Sequence, residues 1–321
     1  MPISAHPANI IIFIHYLCAM DKFYGEICQF LHDYGLHIYK VGEGYGHISV
    51  KAECSGNDRT IPLLLLGTPA TSQEEAERQH AEASAEIARL TDESGTYPLI
   101  LTEDRWSSQG EMTRSRLLAH LEIFTQIYAR NCEVRRIDKA TAQNFLQTSH
   151  SYGDAACKYR YGLYLKRHTG HNALRLSESN DNPDGQAIAA LQPGTLIAVA
   201  TFSNARKWIK GDKTIRSYEW TRYASLPGVR LSGGMGKVLK TFIKEVQPDD
   251  IMTYADLEWS EGKVYEQLGF TLEGVKGPVT FLIGSDCRRR PDRPDIPAME
   301  EDRWLRNFGS NKYRLKLTDY Q

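Results

Sequence analysis

Two stretches of this chain hold residues whose types and spacing could do chemistry. Ser232-Gly-Gly-Met-Gly-Lys237 is a glycine-rich turn that opens onto a helix with apolar positions at Val238, Leu239, Phe242 and Ile243. Glycine lets a backbone approach an anion closely, and the first amides of the next helix point at it with a favourable dipole. Gly233, Gly234, Met235, Gly236 and Lys237 could therefore seat a pyrophosphate. Close packing of the helix on its strand explains the same glycines equally well. The P-loop pattern of Gly-x-x-x-x-Gly-Lys-Ser/Thr is absent.

Downstream, the run from Thr253 to Phe270 ends a strand in the polar turn Asp256-Leu-Glu-Trp259-Ser and continues through a short helix holding Tyr265 into Leu-Gly-Phe270. Asp256 at the strand end and Glu219 in Ser217-Tyr-Glu-Trp-Thr-Arg222 are the acidic residues placed to act as bases. An acidic side chain within an aromatic strand needs a partner. For Glu219 two readings stand side by side, a general base or an ion pair with Arg222 or Arg206. His150, which follows a helix and precedes Ser-Tyr-Gly-Asp154, suits either a substrate contact or a helix C-terminus that favours a cation. Arg206, Lys207, Arg222 and Trp259 complete the substrate-side candidates. The histidines, cysteines and carboxylates show no metal-like spacing: Glu43 and Asp58 are the nearest to a carboxylate pair, and no metal is expected.

The elements that must position these residues follow from pattern and size. At 321 residues two domains are the prior. The net charge of −1 hides a contrast: eleven acidic and five basic residues from Ser72 to Glu122, against three acidic and ten basic from Thr201 to Pro248. The basic stretch fits an anionic partner, or solvated lysines on strand edges. Six cysteines without a Cys-x-x-Cys pair fit reduced thiols in a cytoplasmic protein. The apolar run Ile10 to Met20 is too short to span a bilayer, lacks the marks of a signal peptide, and reads as a buried strand or helix.

In the first part, apolar spacing predicts a helix over 21–34, strands over 37–41, 48–52 and 61–66, a helix over 73–90, a strand over 97–102 and a long helix over 110–127. In the second, strands are expected over 132–137, 160–166, 196–202, 217–223 and 251–255. Helices are expected over 139–148, with Asp138 as N-cap, and over 233–246 and 261–268. Residues 270–283 give one or two further strands, and 172–193 a loop. Arg288-Arg-Arg290 and Lys312, Arg314 and Lys316 lie in a stretch that reads as a charged, solvated tail.

This order, strand-helix, three antiparallel strands, helix, strand, helix, strand, resembles the GNAT family of acyl-CoA-dependent N-acyltransferases over residues 130–283. The family's Arg/Gln-x-x-Gly-x-Gly/Ala turn is matched at Gly234 to Gly236, with Leu231 in the Arg/Gln position and Arg230 one residue early. Its Leu-Tyr-x-x-x-Gly-Phe segment is matched by Val264-Tyr265-Glu-Gln-Leu-Gly269-Phe270. The resemblance implies acetyl-CoA or another acyl-CoA as cofactor, with its pyrophosphate on the turn and Tyr265 as general acid to the departing thiolate. A phenol is chemically suited to that role; a core tyrosine is the other reading.

A narrower resemblance rests on Ile127-Tyr-Ala-Arg-Asn-Cys-Glu-Val, Tyr161-Gly-Leu-Tyr, Ser217-Tyr-Glu-Trp-x-Arg222 and Tyr254-Ala-Asp-x-x-Trp-Ser-x-Gly. These blocks resemble the GNAT-like domain of phage and mobile-element proteins, distantly similar to Mom-like DNA-modifying acyltransferases. Leu101-Thr-Glu-Asp-Arg-Trp106 is similar to the end of a Vsr-like nuclease. The expected organisation is an α/β (α+β) protein with three parts. An N-terminal α/β domain spans 1–130, and a GNAT-like mixed, mostly antiparallel sheet flanked by helices spans 131–285. A charged tail over 286–321 completes the chain. The expected function is acyl transfer to an amine, either a small molecule or a nucleobase, without a membrane. The alternative is a non-catalytic DNA-binding module of a mobile element with a degenerate nuclease domain.

Overall fold

The computed structural model describes residues 7–54, 60–167, 191–293, 295 and 297–320. The chain forms two compact units, both discontinuous: Met1–Gly110, Glu258–Ser260 and Gly277–Gly309 make the first, and Glu111–Leu257, Glu261–Lys276 and Ser310–Gln321 the second.

The first unit opens with α1 (Pro7–Asp33), so the apolar run Ile10 to Met20 is helical. Further along α1, Met20, Phe23, Ile27 and Leu31 repeat every three or four residues and are buried. The hairpin β1 (Leu36–Gly44) and β2 (His47–Cys54) turns at Gly46, whose φ of +74° only glycine adopts readily. Strand β3 (Thr60–Leu66) buries Leu63 to Leu66 without a break. A parallel neighbour needs a crossover. Helix α2 (Gln73–Ser94) supplies it before β4 (Leu99–Thr102), giving the order β1-β2-β3-β4. Ser72 caps α2 by accepting from the Glu75 amide at 3.2 Å. Helix α3 (Glu103–Ser108) follows at once.

The expected long helix over 110–127 is shorter. Helix α4 (Gly110–His120) stops, and Thr125–Tyr128 is strand β5. Glu122 takes a left-handed φ of +66°, while the Ile123 and Glu122 amides bond back to Leu118 and Ala119. That is a Schellman stop built without glycine, which apolar spacing alone does not reveal.

The second unit continues through β6 (Cys132–Arg136), α5 (Lys139–Ser149), β7 (Tyr159–Leu165), β8 (Leu196–Phe202), β9 (Arg206–Lys210), β10 (Lys213–Ser225) and β11 (Val229–Ser232). Then come α6 (Gly234–Val246), β12 (Asp250–Asp256), α7 (Lys263–Gln267) and β13 (Thr271–Lys276). Asp138 caps α5 as expected, accepting from the Thr141 amide at 2.8 Å. Most of the loop expected over 172–193 lies outside the described residues, which resume at 191.

The segment expected as a charged tail is not one. Strands β14 (Thr280–Ile283), β15 (Arg289–Pro291) and β16 (Arg303–Arg306) form a three-stranded sheet in the first unit. Strand β17 (Ser310–Lys316) then enters the large sheet of the second unit between β12 and β13. Partners from distant segments neutralise two of its three cations: Lys312 on Glu273 at 2.8 Å, and Arg314 on both Asp250 and Glu273 at 2.7 Å.

The large sheet runs β13-β17-β12-β10-β8-β7-β6, with β9 also along β10. Its pairs are antiparallel except β10 with β12, which are parallel over Ser217↔Asp250 to Glu219↔Met252. Beyond Glu219 the backbone ladder between the two strands ends, and Thr253 Oγ1 donates to the Trp220 carbonyl at 3.1 Å. Helix α6 buries Val238, Leu239 and Phe242 on one face, where Phe242 stacks on Phe202 at 3.9 Å between ring centres. On the other face α5 packs Ala142 and Leu146 against Val199 and Ala224. Among the described residues no helix is long and apolar enough to cross a membrane.

Candidate functional site

The glycine turn joins β11 to α6 and packs against Tyr223 of β10. Gly233 caps α6 with a φ of +76°, which a side chain would strain. A Cβ on Gly234 would lie 2.5 Å from the Tyr223 hydroxyl and 2.7 Å from Leu231, and one on Gly236 would sit 3.4 Å from Leu268. The first intrahelical bond runs from the Lys237 amide to Gly233, so the amides before it are the orphan donors of the helix start. A cleft of about 590 Å³ opens beside them. Its wall takes Ser232, Gly233, Met235 and Gly236 from the turn, Arg116 and His120 from α4, Arg230 from β11 and Gln267 from α7. No carboxylate is among the described residues that line it. A cavity of about 240 Å³ that shares Arg116, Ala119, Tyr223, Ser225 and Val229 extends past Ser149 and His150.

This cleft is positive. Desolvation of the ring, then repulsion from Arg116 and Arg230, holds the His120 imidazole down at about 4. Residue 120 as a whole is exposed, so the two guanidiniums are the contribution that best survives contact with solvent. The Tyr223 hydroxyl, which faces the first turn of α6, is buried and has no hydrogen-bond partner among the described residues. Burial, reinforced by Cys132, pushes its pKa well above that of a free phenol. The large majority of buried side-chain polar atoms in folded proteins are paired, although Ser149 Oγ and Arg160 Nε share the condition of Tyr223 here. An orphan hydroxyl at a helix start is what a polar ligand would satisfy.

The candidates from sequence fall in different places. Met235 and the three glycines form the turn as expected. Lys237 turns back on the chain, donating to the carbonyls of Ala129 (2.8 Å) and Cys132. Tyr265 packs among Trp220, Phe270 and Tyr313, with centroids 5.6–6.1 Å away. Burial raises its pKa against the opposing hydrogen bond from Thr253, so the phenol keeps its proton. Val264, Gln267 and Leu268 on the same helix, rather than Tyr265, line the cleft.

Asp256 ends β12 at its carboxyl end, four residues beyond Met252. Ligands of open sheets favour that end of the strands. Glu219 sits lower, where the strands still pair, with its amide donating to Ser203 at 2.9 Å. His150 closes α5, its Nδ1 accepting from the Tyr152 amide at 3.1 Å, and lines the smaller cavity. Arg222 donates to the carbonyls of Gly153 (3.0 Å) and Thr221 (2.8 Å), and burial lowers its pKa against the charges of Glu219 and Asp154. Arg206 and Lys207 lie exposed on β9. Trp259 is buried in the first unit with the Arg105 guanidinium 5.8 Å from its ring.

Residues singled out for a nuclease are engaged elsewhere. Glu103 accepts from the amide and hydroxyl of Thr68 at 2.9 Å, and Trp106 donates to Glu26 at 3.0 Å. Asp104 binds Arg289 through bonds of 2.6 and 3.2 Å. Glu43 pairs with Lys40, and Asp58 lies outside the described residues. Among the described residues no group of three or more His, Cys, Asp or Glu could hold a metal ion.

Sequence reasoning missed Arg116, His120 and Tyr223. The first two sit on a helix upstream of the recognised pattern. The third owes its direction to a register shift between Trp220 and Arg222, which breaks the two-residue alternation.

No family model matches the chain, and no curated protein matches it. Among solved structures it is similar to spermidine N-acetyltransferase from Vibrio cholerae, in a dodecameric structure, at 10% identity and a TM-score of 0.30, over 58% of this chain and 94% of that one. It is also similar to a GNAT-family acetyltransferase from Bacillus anthracis at 14% identity and a TM-score of 0.28, over 58% of this chain and 95% of that one.

Proposed function

We propose that the second unit is an acyl-CoA-dependent N-acyltransferase whose coenzyme lies in the cleft at the start of α6. The observation that carries this is one wall combining orphan helix amides, two arginines, a histidine and a buried hydroxyl without a partner. Those groups fit a pyrophosphate with a polar chain attached, and the glycines leave room for it. When bound, the coenzyme supplies an activated acyl carbon. The acceptor amine forms the C–N bond, the C–S bond breaks, and the sulfur leaves as a thiolate that needs a proton. Tyr265 is assigned as the acid from the sequence resemblance alone, since its buried ring does not line the cleft, and Asp256 at the carboxyl end of β12 is favoured over Glu219 as the base that takes the amine proton. A small-molecule amine or a nucleobase fits the acceptor side.

Calorimetry with acetyl-CoA tests this reading. Saturable binding is expected, weakened roughly tenfold or more in Gly234→Ala, whose added methyl collides with the Tyr223 hydroxyl and Leu231. Absence of heat at millimolar ligand would sink it. A phage or mobile-element setting for this activity is a separate proposal, carried by the sequence blocks alone.

A further inference from the structure

Strands β9 and β10 form an antiparallel hairpin whose register is Lys213↔Lys210, Thr214↔Ile209, Ile215↔Trp208, Arg216↔Lys207 and Ser217↔Arg206. Every residue of β9 is exposed, including Trp208 at 52% and Ile209 at 81%. Five cations and one acid, Asp212, lie between residues 206 and 216. Directly paired residues in an antiparallel ladder share a face, and faces alternate every second residue. One face therefore carries Lys210 and Lys213, then Trp208 beside the buried Ile215, then Arg206 beside the buried Ser217, and next Glu219. The other carries Ile209 and Thr214, then Lys207 and Arg216.

From this layout we infer that the Trp208 face of the hairpin docks a single-stranded nucleic acid. Cations on both sides of a half-exposed indole suit a backbone of phosphates with an unstacked base between them. Lys213, which donates to the Asp319 carbonyl at 3.1 Å, still presents its charge there. Arg216 lies on the other face and pairs with Asp249 at 3.3 Å.

An anionic membrane is a poorer occupant, because Trp208 and Ile209 point to opposite faces and cannot insert together. A second copy of the chain would bring the same excess of positive charge. The inference does not depend on acyl transfer, and binding of acetyl-CoA, measured separately, tells the failure of one from the failure of the other.

The test is fluorescence anisotropy with a labelled 20-mer of thymidylate, the same length of duplex, and vesicles of phosphatidylserine with phosphatidylcholine. Single-strand binding that weakens with salt is expected, at a lower affinity for the duplex. Trp208→Ala should weaken it about tenfold with the thermal melt unchanged. Lys210→Gln with Lys213→Gln should make the salt dependence shallower by about two phosphate contacts, a slope change of about 1.4. Equal retention of single strand by Trp208→Ala and wild type would overturn the inference. So would preference for duplex, vesicle binding with a blue-shifted Trp208, or salt-independent self-association.

Discussion

The molecule handles its arginines in two ways. In the first unit, Arg289 is buried and fully subscribed: it binds Asp104 at 2.6 Å, Glu258 at 2.8 and 3.1 Å, and Thr102 at 3.0 Å. Arg105 adds a bond to the same Glu258 at 2.8 Å. Burial alone would raise the Asp104 pKa, yet the charge of Arg289 outweighs it and holds the carboxyl below its ordinary range. In the second unit, Arg116 and Arg230 line a cleft whose described wall has no carboxylate and whose helix start adds further positive character. The first arrangement consumes its charge in joining segments that are far apart in sequence. The second places two arginines at an opening whose described lining has no carboxylate.

The largest effect should come from breaking the closed arrangement. Arg289→Ala leaves Asp104 and Glu258 buried with one cation fewer, a loss of about 3–5 kcal/mol. Urea unfolding should show it, and a loss below about 1 kcal/mol would mean that solvent reaches the network. Arg230→Ala sharpens the contrast from the other side. Arg230 is exposed and its guanidinium lies 5.1 Å from the Phe124 ring centre, so unfolding should change by no more than about 0.5 kcal/mol. Affinity for acetyl-CoA should fall by about 5–100-fold, the worth of one charge-assisted phosphate contact. Unchanged affinity would place the anion elsewhere.

That contrast also separates what was legible in the sequence from what was not. The glycine turn, the Asp138 cap and the meander of the second unit follow from local residue types, and the structure contains all three. The pairing of charges does not follow from local pattern. Arg289, Glu258 and Arg314 look like solvent-facing residues until helix α3 supplies Asp104 and Arg105 and strand β12 supplies Asp250. Strand β17 was hidden for this reason: an element rich in lysine and arginine sits inside a sheet because Glu273 and Asp250 meet it there. At the site, the register shift at Trp220 and Arg222 hides Tyr223, and the stop at Glu122 hides where Arg116 and His120 finally stand.

A smaller effect follows from His120. Its pKa of about 4 in the folded chain lies below the ordinary 6.5, so between those values the unfolded chain holds more protons. Stability should therefore be highest above about pH 6.5 and fall as the pH drops toward 4. An anion in the cleft offsets the repulsion from Arg116 and Arg230 and raises that pKa, so its binding takes up protons, at most about one. Calorimetry at pH 5.5 in two buffers of different ionisation enthalpy reads this uptake directly. None, or the same uptake in His120→Ala, would remove His120 from the anion's surroundings.

The smallest change tests the cleft most specifically. Leaving a buried hydroxyl without a partner costs about 1–3 kcal/mol relative to leaving it hydrogen-bonded. Tyr223→Phe removes that penalty while keeping the ring against Trp220, 6.0 Å away between centres. The unliganded protein should be as stable as wild type or slightly more so, by up to about 1 kcal/mol, since an apolar edge replaces an unsatisfied oxygen. If the hydroxyl is there for a ligand, acetyl-CoA should bind about tenfold more weakly, which reverses the sign of the effect between the free and bound protein. A gain in both stability and affinity would identify the hydroxyl as a packing relic. A loss of stability would mean that it has a partner after all, such as an ordered water under the first turn of α6. Only opposite signs in the two measurements would tie the buried oxygen to the arginines above it as parts of one anion site.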